Sequence, residues 1–352
     1  MTFTGKMKRA ALVSLVAIPM LTAGCGLLGS QESKGQIDPP PGVSENAPDA
    51  AASGNAVTVA ADELQQPVTL YLKDSNGYVA PVSLNVPRVD GIAKLTLQYL
   101  VEDGEYKDLI PGGFTALLPK GTEIKGISVD AKQKLATVNF SKQFVNYNVQ
   151  DERKMLEALT YTLTSFPSIQ QVQIQVEGKP LAEMPENGTP LDEPLTRGMG
   201  INIEKGKDVE LTASTPVTLY FMSKTDDDQA YFVPVTRLIS RTDNVAQAAV
   251  QQLIEGPSAA GTLISSIDPG AQVLDVTQKD GIVTVNLSGE IETPEAKVPA
   301  ETLESVILSL TENTGAAKVQ IMVNGNKKVS STDDKSYSQP VTRPAHVNPV
   351  KS

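Results

Sequence analysis

The chain of 352 residues has one cysteine, one histidine and no tryptophan, and aromatic residues make up only 5 % of it. A single cysteine excludes an intramolecular disulfide, so any exported domain must be stable through packing alone. Nucleophilic catalysis of the Ser-His-Asp or Cys-His kind needs a histidine beside its nucleophile. The sole histidine, His346, lies in a proline-containing tail, and the sole cysteine, Cys25, lies near the N-terminus, so that chemistry has no candidate constellation. A zinc site built from clustered histidines and cysteines is excluded on the same count. Bases are also in deficit, with 30 Lys and Arg against 41 Asp and Glu, a net charge of −11. That balance weighs against nucleic acid as a partner and against electrostatic adhesion to anionic lipid.

What the chain does have begins with an address label. Lys6, Lys8 and Arg9 precede an apolar run from Ala10 to Leu21, followed by Leu21–Thr22–Ala23–Gly24–Cys25. The run is too short for a mature membrane span and Pro19 interrupts it, so residues 1–24 read as a cleaved export signal. The small residues before a lone cysteine resemble a bacterial lipobox, which makes Cys25 the expected site of lipidation and the first residue of the mature protein. Cleavage there removes three bases and no acids, leaving 27 bases against 41 acids, a balance of −14. Lipid, rather than a basic face, is then what attaches the protein to a membrane, and two acyl chains hold durably where one does not. Residues 25–66 are rich in Gly, Ser, Ala, Pro, Asp and Glu and poor in large apolar groups, which predicts a disordered tether. About forty such residues reach a root-mean-square distance on the order of 35 Å.

Beyond the tether the chain says the same thing twice. Pro67–Val68–Thr69–Leu70–Tyr71 returns as Pro216–Val217–Thr218–Leu219–Tyr220, and Val79–Ala80–Pro81–Val82 as Phe232–Val233–Pro234–Val235. Val138–Asn139–Phe140–Ser141 returns as Val285–Asn286–Leu287–Ser288, Val172–Gln173–Ile174–Gln175–Val176 as Val319–Gln320–Ile321–Met322–Val323, and Pro194–Leu195–Thr196–Arg197 as Pro340–Val341–Thr342–Arg343. The offset drifts only between 146 and 153 residues. Each copy is large enough to bury a core of its own. The predicted organisation is a first module at 67–200, a linker at 201–215, a second module at 216–345 and a tail at 346–352.

Within a copy, alternation over 68–72 and 78–86 around Asp74–Ser75–Asn76–Gly77 predicts a hairpin, and Pro81 and Pro234 place the second strand at a sheet edge or a bulge. Asp90 and Asp243 are expected to cap helices running to about Glu102 and Glu255. A second strand pair follows at 123–129 and 134–140, or 272–276 and 281–287. A second helix spans about 150–165, or 300–313, with an apolar stripe that reads as core. A closing strand at 171–177 ends at Gly178. The expected class is α+β: two tandem copies of a small two-layer module, helices packed on one face of a mostly antiparallel sheet.

The order and duplication of these motifs, with the lipobox and spacer before them, resemble the GerM family of spore-forming bacteria and its tandem GerMN modules. The resemblance covers nearly all of the chain from Cys25 onward. It implies a fold like that of ring-building motifs and a lipoprotein of sporulation and germination. It further implies residence in the mother-cell membrane facing the intermembrane space, with protein partners in an intercellular channel complex, self-association and no nucleic acid.

The residues leave two other classes open. A glycosidic bond can be cut by two carboxylates without histidine, so a cell-wall (peptidoglycan) remodelling enzyme, or a cofactor of one, is the alternative. Its candidate acids, Glu102, Asp130, Glu255 and Asp275, sit at helix ends and strand turns where acids ordinarily just meet solvent. A small-ligand-binding lipoprotein is the third. Asp226–Asp227–Asp228 could attract Ca²⁺ but lacks the spaced ligands and glycine of a calcium loop, and reads better as a solvated hairpin tip. Arg197 and Arg343 are expected to be exposed, forming local ion pairs or capping carbonyls rather than binding ligand. No catalytic residue, cofactor or metal is expected, and the leading expectation is a scaffold that is not an enzyme.

Overall fold

The computed structural model describes residues 65–206, 209–258 and 261–350. In the first copy, β1 (Gln65–Asp74) and β2 (Val79–Pro87) form the expected hairpin, extended by β3 (Phe114–Thr115) on the far side of β1. Pro81 lies in β2, the edge strand of that sheet, where a residue with no N–H breaks no ladder. Between these strands, α1 (Ile92–Gln98) starts after Gly91, which has a φ of 77° and no side-chain cap, so Asp90 does not cap it. The helix also ends short of Glu102, because Leu100 and Val101 turn away to pair with Leu117 and Leu118.

A second sheet, order β4-β5-β6-β7, is built from β4 (Ile124–Asp130), β5 (Leu135–Phe140), β6 (Gln171–Val176) and β7 (Lys179–Pro180). The hairpin β4–β5 is antiparallel, while β5 and β6 run parallel because α2 (Glu152–Leu163) crosses over between them. The second copy repeats the plan. A short strand β8 (Glu204–Lys205) precedes β9 (Ser214–Lys224) and β10 (Ala230–Ser240), in the order β8-β10-β9. Helix α3 (Val245–Glu255) is capped by Asn244, whose side chain accepts from Gln247 N, rather than by Asp243. The sheet β11 (Val273–Lys279), β12 (Ile282–Leu287) and β13 (Lys318–Val323) again has one antiparallel and one parallel pairing, the crossover being α4 (Ala300–Thr314). Asp280 and Gly281, both with positive φ, make the two-residue turn of β11–β12, as the twist of a tight hairpin requires.

The α+β class and the tandem design are therefore as expected, with each module's sheet split in two. The helical stripes are core: Met155, Leu156, Leu159 and Leu163 pack with Val138, Phe140 and Val172, and Leu303, Val306, Ile307 and Leu310 pack with Val283, Val285 and Val319. Ala80 and Tyr78 of the first copy join the second copy's core, so apolar burial continues across the boundary between modules. The expected tether, the signal and Cys25 lie outside the described residues.

Candidate functional site

The boundary between the copies is where the chain brings its unexpected residues together. The duplicated Pro-x-Thr-Arg is the start of a nine-residue repeat, since Pro194 to Asn202 and Pro340 to Asn348 share Pro, Thr, Arg, a β-branched aliphatic residue and Asn at the same spacing. Each copy of this strap does the same four things. Leu195 and Val341 pin it to the closing strand through paired backbone hydrogen bonds with Val172 and Val319. The arginine then reaches a carbonyl in the C-terminal half of the helix, Arg197 Nη2 donating to Tyr161 O at 3.3 Å and Arg343 Nη1 to Leu308 O at 2.8 Å. Arg197 there meets the negative end of α2. Ile201 fills a buried cluster with Tyr71, Val79, Ala158 and Tyr161, and Val347 fills its counterpart with Tyr220, Phe232 and Leu308.

The asparagines complete the strap by clamping the two hairpins to each other. Asn202 Oδ1 accepts from Val79 N at 2.8 Å while its Nδ2 donates to Val79 O at 2.8 Å and to Pro234 O at 2.7 Å. Asn348 Oδ1 accepts from Phe232 N at 2.7 Å, and its Nδ2 donates to Phe232 O and to Pro81 O, both at 2.8 Å. Val79 corresponds to Phe232 and Pro81 to Pro234, so exchanging the modules maps one clamp onto the other. The prolines explain why side chains are used: β2 and β10 cannot ladder directly where Pro81 and Pro234 have no N–H, and an amide supplies both donor and acceptor instead. Thr236 N donates to Ile201 O, and Ser83 N to Asn348 O, extending the same exchange along the backbone.

Charge gathers at one end of this seam. Glu312, on α4, accepts from Arg197 Nη1 at 2.9 and 3.0 Å, meets Arg343 Nη2 at 2.9 Å and accepts from Tyr220 Oη at 3.1 Å. Burial pushes its carboxyl up, but the two guanidiniums outweigh that and hold it below the ordinary carboxylate range. Arg197 lies 4.6 Å over the Tyr161 ring and Arg343 lies 5.1 Å over Tyr220. The arginines were expected to be exposed and local. Their side chains are 27 and 29 % accessible, and Arg197 pairs across modules, whereas Arg343 makes the expected local ion pair, with Glu312 of its own module, and both arginines bond a helix carbonyl. Opposite, Asp74 is buried with Tyr231 Oη donating to it at 2.8 Å, again across modules, and burial raises its carboxyl.

The acids considered for hydrolysis stand apart from this. Glu102, Asp130, Glu255 and Asp275 are each exposed on separate elements, Asp130 accepting from Lys132 N and Gln133 N in its own turn. Asp226, Asp227 and Asp228 are exposed at the β9–β10 tip, where Asp228 lies 3.3 Å from Lys224. Among the described residues no group of three or more His, Cys, Asp or Glu is placed to hold a metal. His346 is exposed in the strap that carries Val347 and Asn348. Asn202, Asn348, Glu312 and the paired tyrosines Tyr71 and Tyr220 were missed in the sequence. The asparagines were legible there, since the repeat simply runs five residues past its arginine.

A module duplicated and joined to its copy through a self-complementary seam defines a tandem two-module protein. Residues 69–182 and 218–329 match the Germane model, described as sporulation and spore germination, and the chain belongs to that family. It is 35 % identical over 350 residues to the spore germination protein GerM of Bacillus subtilis (strain 168), the match covering 94 % of each chain. The solved tandem GerMN domains of the sporulation protein GerM from Bacillus subtilis superpose with a TM-score of 0.76 at 34 % identity, covering 82 % of this chain and 100 % of that one. The fold is thus that of tandem GerMN domains.

Proposed function

We propose that this chain is a membrane-anchored extracytoplasmic scaffold of sporulation, linked also to germination, that helps assemble or position the channel complex between mother cell and forespore. Cys25 is its lipidation site and its partners are proteins. Support comes first from the family, and from a relative matched across 94 % of both chains whose name refers to spore germination. The observation that carries the reading is the seam. Arg197, the buried acids and the asparagines serve to join two modules whose remaining surfaces are free to differ, which suits presentation of two faces to neighbours better than turnover of a substrate. Among the described residues no helix is long and apolar enough to cross a membrane, so in this reading the acyl chains at Cys25 do the holding.

Cys25→Ala tests the anchor: in sporulating cells the variant should leave the membrane fraction and lose its position, and unchanged localisation with normal sporulation would overturn it. For the scaffold role, photo-crosslinkers at exposed Lys132 and Lys279, one per module, should trap defined protein partners in sporulating cells. Cleavage of peptidoglycan by the purified protein, lost on changing one carboxylate, would favour a cell-wall enzyme instead.

A further inference from the structure

The exchange symmetry of the seam fails at its charged end. Counting back along the helices from Val172 and Val319, Glu312 of the second copy corresponds to Ser165 of the first. The neighbours agree, since Tyr71 N is held by Thr162 Oγ1 and Tyr220 N by Ser309 Oγ, and Arg197 Nε reaches Thr164 where Arg343 Nη1 reaches Thr311. The second half therefore has a tyrosine, an arginine and a carboxylate in mutual contact. The first has the tyrosine and the arginine, with a serine where the acid belongs.

Three consequences of that substitution are visible. Tyr220 Oη both accepts from Arg343 Nη2 and donates to Glu312, whereas the hydroxyl of its counterpart Tyr71, a residue only 2 % exposed, has no hydrogen-bond partner among the described residues. Arg197 Nη2 is held by the two longest bonds of its guanidinium, to Tyr161 O at 3.3 Å and Ser165 Oγ at 3.4 Å. And the charges do not cancel: two guanidiniums face one carboxylate in a chain that is otherwise strongly acidic. Tyr71, Ser165, Arg197, Glu312 and Arg343 all line one groove of about 410 Å³, open to solvent and large enough for more than a single small anion.

We propose that this groove is a carboxylate-binding site, in which an acid from outside the chain takes, beside Tyr71, Ser165 and Arg197, the place that Glu312 holds in the other half. The Tyr71 hydroxyl and Arg197 Nη2 are the donors that receive it, and the charge it brings neutralises the uncompensated guanidinium. A hydrogen bond to a charged acceptor is the strong kind, so the Tyr71 hydroxyl, open to the groove, and the Arg197 guanidinium gain together. The acid is either a small carboxylic acid or a glutamate or aspartate side chain of a polypeptide; the chemistry is shared.

The test is calorimetric titration of the full-length purified chain with glutarate and, separately, with a blocked peptide carrying one glutamate, each against sodium chloride of matched ionic strength. Saturable binding of either probe supports the site, and which probe binds identifies the source. Tyr71→Phe keeps the ring and removes the donor, and should weaken binding about tenfold or more. Ser165→Glu supplies the missing acid from within, so it should abolish binding and raise the melting temperature. Absence of saturable binding by the parent chain, or binding unchanged in Tyr71→Phe or in folded Ser165→Glu, overturns the proposal.

Discussion

Removing one asparagine from the seam should cost far more than its size suggests. Asn202 makes three side-chain hydrogen bonds at 2.7 to 2.8 Å, two to the fully buried Val79 and one to Pro234 in the other module. At about 1 kcal/mol net for each, and with a buried N–H left unpaired, Asn202→Gly loses about 3 kcal/mol. Asn202 has a φ of 47°, a left-handed conformation that asparagine tolerates and alanine does not, so Asn202→Ala should lose about 1 kcal/mol more than Asn202→Gly. Asn202→Asp is the sharpest control, because a carboxylate would face two carbonyl oxygens with no proton to offer them, and it should be at least as damaging as glycine. Urea denaturation read by circular dichroism gives each value, with the melting temperature of Asn202→Gly falling by about 6 °C or more. The equivalent Asn348→Gly should behave alike, and the double variant should cost less than the sum, since the first loss already loosens the seam the second one clamps. If Asn202→Gly lies within about 0.5 kcal/mol of the parent, the clamp contributes nothing and the account of the seam is wrong.

The charged end of the seam makes two further predictions. Glu312 has a folded-state carboxyl below its ordinary value of 4.5, so its stabilisation is complete above that pH and disappears as the pH falls through the lower folded value. Glu312→Gln should therefore lose about 3 kcal/mol at pH 7, with the gap to the parent closing in acid; a gap independent of pH from 7 down to 3 would refute it. Asp74 has the opposite sign, its folded carboxyl lying above 3.8, so its contribution falls as pH rises through that window and stays lost at neutrality. Asp74→Asn should be at least as stable as the parent at pH 7 by thermal melting and lose that advantage below pH 3.8, whereas clear destabilisation at pH 7 would contradict the reading.

The parts of the fold that follow from local pattern were legible in the sequence. Alternation marked β1, β2, β9 and β10, the 3.6-residue stripes marked α2 and α4, and Pro81 announced an edge strand, whereas Pro234, expected at an edge likewise, lies in the central strand β10, tolerated because β8 pairs only at Arg237 and Leu238. Helix starts were less so, because Gly91 and Asn244 stand beside the aspartates that looked like caps. The seam was hidden for a deeper reason. Glu312 sits on α4 near its C-terminal end, where a carboxylate ordinarily faces water, and guanidiniums arriving from residue 343 and from residue 197, the latter 115 positions away, make it an interior group. Periodicity reports which face of an element is buried and carries no information on what covers it. Comparing the copies position by position would have shown both the shared asparagine and the odd serine, since duplication makes each module a reference for the other.

A face on which every contact is answered by its mirror partner is what two identical subunits form about a twofold axis, and such a pairing closes on itself. Here the two subunits are consecutive stretches of one polypeptide, so the dimer is permanent, independent of concentration, and allowed to become unequal one residue at a time. Its pairing edge is already consumed within each molecule. Growth into any larger array must then begin from other strands and helices, and it can proceed without competing with the bond that makes the building block.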